Sequence, residues 1–440
     1  MNENIVIHKP NLLIKNAHVV DPANEIDEVL DVQLREMEIV DWGKNLTCAD
    51  SEILDAKGLY LLPGLIDLQV HFREPGFEHK ETIETGIQAA IQGGFVACVT
   101  MPNTNPACDN GQVVKFQIEK GEAHGFNIFP SGTLTQHREG KKISEMAEMK
   151  AAGAVAVTDD GDWLQDSGVA RRAYEYAATH GLIVMTHAED KSISQVGVMN
   201  EGIVSTKLGL RGKPASSEDI ATARDIELAR LTGCRLHMLH VSTRRSVELI
   251  RKGKKEGLNI TSEVSPHHLA LTEECLMDYD TNFKMNPPLR TEDDRQAIIK
   301  GLEDGTIDLI STDHAPHAAE EKNQDFESAP DGVVGLESSF GVVMTELYHK
   351  RSWKMKDIAR IMSLNPSQLL GKDYLGRLVK SHACNLVLVD AGYEWVFDED
   401  QIRSKSKNSC FIGSKLKGKV LHTFVNGTHY DLTKQLSSKI

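Results

Sequence analysis

Pro63-Gly64-Leu65-Ile66-Asp67-Leu68-Gln69-Val70-His71-Phe72-Arg73-Glu74-Pro75-Gly76 decides the reading of this chain. Successive side chains of a strand point to opposite faces. Leu68, Val70 and Phe72 therefore share one face, and Asp67, Gln69 and His71 share the other. An apolar strand that turns polar side chains to one side at its far end is building a site. A pocket lined by His and Asp suits a divalent cation. Gln69 shares that face, and a carboxamide is a weaker ligand than an imidazole.

Seven further apolar runs follow: FVACVTMPN, FNIFPSG, AVAVTDD, LIVMTHAED, RLHMLHVS, NITSEVSPHH and IDLISTDHAP. Helical stretches such as KETIETGIQAAIQGG, GVARRAYEYAATHG and SSEDIATARDIELARLTG lie between them. Ser216-Ser217-Glu218-Asp219 reads as a helix start and Gly233 as a stop. Eight β/α units across 63–375 predict an α/β fold, a (β/α)8 TIM-like barrel. A doubly wound sheet is the alternative, but no phosphate loop or G-x-G-x-x-G follows the first strand. Residues 12–62 and the C-terminal NLVLVDAG and GKVLHTFVNGTHYD are β-rich, with Asn426-Gly427 a hairpin signal. The two ends, 1–62 plus 376–440, are therefore expected to form a small β-sandwich domain.

The 440 residues are 40% hydrophobic and 26% charged, ordinary for a globular protein. A net charge of −15 argues against nucleic acid or an anionic membrane as partner. An anionic substrate needs local cations to hold it. The seven cysteines show no C-x-x-C pairing, which suits a reducing compartment. With no apolar leader and no membrane-length run, a cytoplasmic location is expected.

Catalytic groups of such barrels sit at the C-terminal ends of the strands. Here those ends carry Gln69 and His71, then Asn103, Asp159 and Asp160, His187, His240, His267 and His268, and Asp313. One such His is more often a structural residue; convergence from several strands is not. His with Asp favours Zn²⁺ or a similar borderline metal. Alternation groups Met238 with His240, and Leu309 and Ser311 with Asp313, leaving His237 and His314 as structural. It does not separate Asp159 from Asp160. Arg73 suits a carboxylate, and Asn103 and Asn286 suit a ring amide. His317 lies four residues past Asp313.

PGLIDLQVHFREPG, MPNTNP, TDDG, THAED, LHVST, SPHHL, NPPLR and STDHAPH, in this order, resemble the dihydroorotases of the amidohydrolase superfamily, above all the bacterial class I type. The likeness extends to NPSQLLG, ACNLVLVD and LKGKVLHTFVNG. It implies interconversion of carbamoyl-aspartate and dihydroorotate, a step of pyrimidine biosynthesis, at a binuclear Zn²⁺ centre. It places His71 and Asp313 on the first metal, His187 and His240 on the second, and Asp160 between them. Asp313 is then also the catalytic acid and base. Arg73, Asn103 and His317 hold the substrate carboxylate and Asn286 the ring. The backbone near Gly332, in the loop 315–336, closes over the substrate. Asp331 stands where relatives often carry an apolar or small residue. Hydantoinases, allantoinases and some dihydroorotases bridge their metals with a carboxylated lysine; AVAVTDDGDW contains none, which leaves a hydantoinase- or allantoinase-like cyclic amidohydrolase as the alternative to class I dihydroorotase.

The family pattern on the first strand is His-x-His, and here it is Gln69-x-His71. Three outcomes stand open. The first metal is held weakly, only the second is kept, or the chain is a catalytically impaired homologue serving as an assembly partner, for example of a carbamoyltransferase. The intact Arg73, Asn103, Asn286, Asp313 and His317 favour an active enzyme. A homodimer is the other protein partnership to look for.

Overall fold

Eight parallel strands in unbroken chain order form the central sheet of the computed structural model, which describes residues 6–7 and 11–435. They are β1 (Leu65–Val70), β2 (Phe95–Thr100), β3 (Asn127–Gly132), β4 (Ala156–Val157), β5 (Ile183–Thr186), β6 (Arg235–Met238), β7 (Ile260–Val264) and β8 (Leu309–Ile310). Each has its chain neighbours beside it. Every residue of β1 and β2 is buried, as a parallel sheet covered on both faces requires. The ring closes between β1 and the end of β8. His71 N–H donates to His314 O at 2.8 Å, and Val70 bridges His314. Among the described residues, no helix is long and apolar enough to cross a membrane.

The helices between strands follow local rules. Ile83–Gln92 starts on a capping box in which Thr82 and Thr85 each satisfy the other's backbone N–H. Ser216–Thr232 stops where Gly233 turns left-handed at φ 69°. The start and stop read from the sequence are those seen.

Both ends of the chain build a second, nine-stranded sheet. Its centre is Asn11–Asp21 beside Tyr60–Pro63, then Leu386–Val396 and Lys415–Val425. The sheet is hydrogen-bonded throughout, yet it folds back on itself. From the Glu38–Gly43 edge, Ile39 N–H donates to His382 O, and Met37 O accepts from Cys384 N–H. This encloses a separate core that includes Leu12, Val19, Val32, Leu61, Leu386 and Phe424. Asn426 and Gly427, at φ 45° and 80°, form a two-residue hairpin between Val425 and Thr428.

Asp67, at the middle of β1, points into the closure seam. Its carboxyl accepts from the N–H of Gln69 at 2.9 Å and of Thr312 at 3.0 Å. Burial pushes its pKa up to about 8. The folded chain thus keeps a proton that the unfolded chain loses above about pH 4. Stability tied to this group therefore falls as pH rises from about 4 to 8, with a slope of up to about 1.4 kcal/mol per pH unit. Urea melts of Asp67→Asn across that window are expected to show a flatter pH dependence than the parent. Equal slopes would remove Asp67 from the account.

Candidate metal centre and substrate pocket

The strand ends converge on a pocket of about 220 Å³. It is lined by His71, Arg73, Asn103, Asp160, His187 and His240, and by Asn286, Asp313, His317, Asp331 and Gly332. Gln69 lies against it, through Asp160. His267 and His268 are buried in the short helix Pro266–Ala270 outside this lining, and His268 Nε2 sits 3.0 Å from Pro287 O. His237 pairs with Glu263 at 2.9 Å and His314 with Glu81 at 3.3 Å, both away from the pocket.

Three site residues leave the extended conformation. Arg73, His240 and Asp313 have φ of 61°, 30° and 50°, a region that costs non-glycine residues roughly 1–3 kcal/mol each. β6 ends at Met238 and β8 at Ile310. Alternation therefore points at His240 and Asp313, but a left-handed turn past each strand is what aims them.

Asp160 is the hub. Its Oδ1 lies 3.7 Å from His187 Nδ1 and 3.7 Å from His240 Nε2. Those two ring nitrogens face each other at 2.9 Å. The three ligand atoms all lie within 4.8 Å of one another, and all three residues are buried. The other oxygen, Oδ2, lies 3.3 Å from His71 Nε2, which is 3.2 Å from Asp313 Oδ1. One carboxylate thus serves two lobes, one with two imidazoles and one with His71 and Asp313. Gln69 donates from Nε2 to Asp160 Oδ1 at 3.2 Å, and its buried Oε1 has no hydrogen-bond partner.

The neighbouring Asp159 faces elsewhere. Its carboxylate accepts from the N–H groups of Leu134 and Thr135 at 2.9 and 3.1 Å. Of the two aspartates, Asp160 is the one that faces the imidazoles. Arg138, which the sequence reading passes over, holds the strand-4 turn by donating to Asp160 O at 2.7 Å.

The cluster's field favours positive charge. Burial lowers the His187 imidazole, but Asp160 and Glu189 overcome it and raise the pKa to about 9. Burial likewise lifts the Asp160 carboxyl, and the surrounding histidines drive it well below the usual range. Two convergent ring nitrogens and a carboxylate oxygen in such a field are a donor set that fits a borderline divalent cation.

Arg73 and His317 form the opposite wall. Arg73 Nη2 is 3.4 Å from His317 Nε2, and burial brings the guanidinium down to about 10. Burial, with Arg73 and Lys80 close by, lowers His317 to about 2, so its ring is neutral. Asn103 Oδ1 takes His71 Nδ1 at 2.8 Å. Gly332 has φ 127°, and a Cβ there would meet Ala315 Cβ at 2.8 Å. Its N–H donates to Lys284 O at 2.9 Å, and Val333 bridges His314, so this part of the loop is folded against the barrel.

Sequence reading also misses Glu189 and Lys213. Both are buried beside Asn286. It misses Asn408 too, whose amide accepts from His317 N–H and donates to Ala315 O and Gly332 O. THAED holds a signal for Glu189, which follows His187 by two residues. Lys213 and Asn408 have no comparable signal.

The whole fold superposes on the L-hydantoinase (dihydropyrimidinase) of Arthrobacter aurescens with a TM-score of 0.84 at 23% identity, over 95% of both chains. For the dihydropyrimidinase of Brevibacillus agri the TM-score is 0.83 at 22% identity, over 95% of this chain and 94% of that one. Those identities speak for the fold alone. The Dihydro-orotase-like family model matches residues 58–246. The chain is 44% identical over 417 residues to the dihydroorotase of Acetivibrio thermocellus, covering 94% of this chain and 98% of that one. It is 45% identical over 416 residues to that of Carboxydothermus hydrogenoformans, covering 94% and 97%. Barrel, strand-end cluster and these relatives define a TIM-barrel hydrolase that acts on cyclic amides. Within that class the chain belongs to the dihydroorotase family, which sets the hydantoinase reading behind it.

Proposed function

We propose that this chain interconverts N-carbamoyl-L-aspartate and dihydroorotate in pyrimidine biosynthesis, using a divalent cation, Zn²⁺ by its donor set, held by Asp160, His187 and His240. The observation that carries this is one pocket with a cationic carboxylate wall on one side and a three-ligand cluster on the other. A cation in such a cluster supplies acidified water and a polarised carbonyl.

The protein's own groups do the rest. Arg73 and the free N–H₂ of Asn103 fix the substrate carboxylate, joined by the neutral His317 when its Nε2–H exchanges Asp331 O, 2.8 Å away, for the substrate, so the ring carbonyl is set against the cluster. Asn286 reads the ring amide, and the loop around Gly332 shields it from solvent. Asp313, in the lobe with His71, takes the proton of the attacking water and passes it to the leaving ring nitrogen. Ring closure runs the same transfers backwards. The seven unpaired cysteines fit a reducing, cytoplasmic setting.

Gln69 bears on the number of ions. Its N–H faces Asp160, so it acts as a hydrogen-bond donor where an imidazole would offer a lone pair. Each lobe has two donors besides Asp160, but the His187–His240 lobe sets two imidazoles against it, whereas the His71–Asp313 lobe has one imidazole and a carboxamide N–H in place of a second. One tightly held ion per chain is expected, and Gln69→His is expected to raise this to about two. Elemental analysis after equilibration with Zn²⁺ decides this; a parent with two ions, or a variant with one, defeats the account. The substrate is tested by turnover of zinc-supplemented protein on dihydroorotate, hydantoin and allantoin. Preference for either of the latter two, or no turnover of any, overturns the proposed reaction.

A further inference from the structure

Beside the ligand cluster, Glu189 and Lys213 join two side chains that the reaction above uses, His187 and Asn286, in a closed ring, with Asn286 Nδ2 3.1 Å from His187 Nε2. Glu189 Oε2 is 3.3 Å from His187 Nε2 and accepts from Asn286 Nδ2 at 2.9 Å. Its Oε1 is 3.3 Å from Lys213 Nζ. Lys213 in turn donates to Asn286 Oδ1 at 2.8 Å. Glu189 and Lys213 are only 6% and 8% exposed, so the pair is shielded from water and salt.

The backbone under Lys213 is itself fixed. Gly212–Lys213 pairs with Met199–Asn200 in a two-stranded ribbon. Arg290 clamps that ribbon, donating to Asn200 Oδ1 at 2.9 Å and to Lys213 O at 3.1 Å. A lysine held this firmly, with its ammonium aimed between a carboxylate and a carboxamide, is placed rather than merely solvated.

Two consequences follow from the donor and acceptor roles. Glu189 Oε2 faces both His187 Nε2 and the Asn286 Nδ2 beside it; with both nitrogens donating to that oxygen, the ring keeps its Nε2 proton and offers Nδ1, beside Asp160 and His240, as the ligand atom once a cation displaces the proton there. An ammonium at Asn286 Oδ1 and a carboxylate at its Nδ2 allow one orientation of that amide and forbid the flipped one. Removing the lysine would strand a buried carboxylate beside the cluster; removing the glutamate would free both the imidazole and the amide to turn.

Resting on the cation site proposed above, we infer that Glu189 and Lys213 are positioning residues. This one buried ion pair sets both the tautomer of His187 and the orientation of the amide-reading Asn286. Cation affinity and substrate affinity are thereby coupled through side chains that touch neither the reacting carbonyl nor the ion.

The test uses the full-length protein stripped of metal, with Zn²⁺ affinity read by competition against a chromophoric chelator and KM and kcat read on dihydroorotate. E189Q is expected to weaken Zn²⁺ binding by about 10- to 100-fold. K213M is expected to raise KM more than it lowers kcat, with K213R recovering most of the loss. The double variant is expected to be no worse than E189Q alone, because the two act as one unit. Where E189Q does not fold, E189D reports the same contact, since it keeps the charge but draws the oxygen back from Nε2. A parent that binds Zn²⁺ with variants unchanged within twofold in Zn²⁺ affinity and KM overturns the pair alone. So does a double variant whose losses multiply. A parent that binds no Zn²⁺ overturns the metal centre and the pair with it.

Discussion

Asp160→Asn is expected to reduce bound metal to trace levels and to lower kcat/KM on dihydroorotate by roughly 10³-fold or more, about 4 kcal/mol. The reason is that both oxygens are committed. Oδ1 faces His187 and His240 at 3.7 Å each and accepts from Gln69 at 3.2 Å. Oδ2 faces His71 at 3.3 Å. An asparagine keeps one oxygen and turns an N–H₂ toward whichever lobe receives the other end. It also removes the negative charge around which three buried imidazoles are arranged. The fold should survive, because Asp160 is held from its backbone by Arg138 and the neighbouring Asp159 anchors the turn to Leu134 and Thr135. Circular dichroism and metal analysis on the same sample separate the two effects. A folded variant that keeps stoichiometric metal and a tenth of parental activity would show that Asp160 is not the hub.

That hub also marks where sequence reasoning stops. The eight strand ends are legible because a buried parallel strand leaves a dense apolar run, and a polar residue at its end stands out against it. Gln69 and His71 both approach Asp160, as alternation expects, although β1 shifts register against β2 on either side of Asp67 and ends at Val70. Past β6 and β8 the chain turns left-handed at His240 and Asp313, so the period of two no longer governs where those side chains point. Spacing leaves Asp159 and Asp160 equal; what divides them is a contact with Leu134 and Thr135, some 25 residues away.

The residues missed are those whose meaning is set by distant partners. The ribbon that presents Lys213 has two residues per strand, too few to leave a periodic signature. Asn408 lies in an irregular stretch of the C-terminal segment, 91 positions from His317. Such residues read as solvated loop polarity until tertiary structure buries them. Glu189 is intermediate. Its place two residues beyond His187 is visible, but a charged loop residue is ordinarily exposed, and its burial is explained by Lys213, Asn286 and His187 around its carboxylate.

Asp313→Asn should behave differently from Asp160→Asn, and the difference tests the division of labour between the lobes. Asp313 is not one of the three residues whose ligand atoms cluster around Asp160, His187 and His240. Its Oδ1 faces His71 Nε2 at 3.2 Å, and it lines the pocket with Arg73 and His317. A group that carries a proton between water and the leaving nitrogen contributes typically 10²- to 10⁴-fold. Asparagine is nearly isosteric and cannot accept that proton. The expected result is a fall of about 10²- to 10⁴-fold in kcat, with KM changed only a few-fold and the cation at the His187 lobe retained. Such a split between kcat and KM means that an interaction made only in the transition state has gone. Loss of the cation together with activity would make Asp313 a ligand rather than the proton carrier. Retention of more than a tenth of kcat would assign the proton to another group, and His71, the nearest titratable neighbour at 3.2 Å, would be the one to replace next.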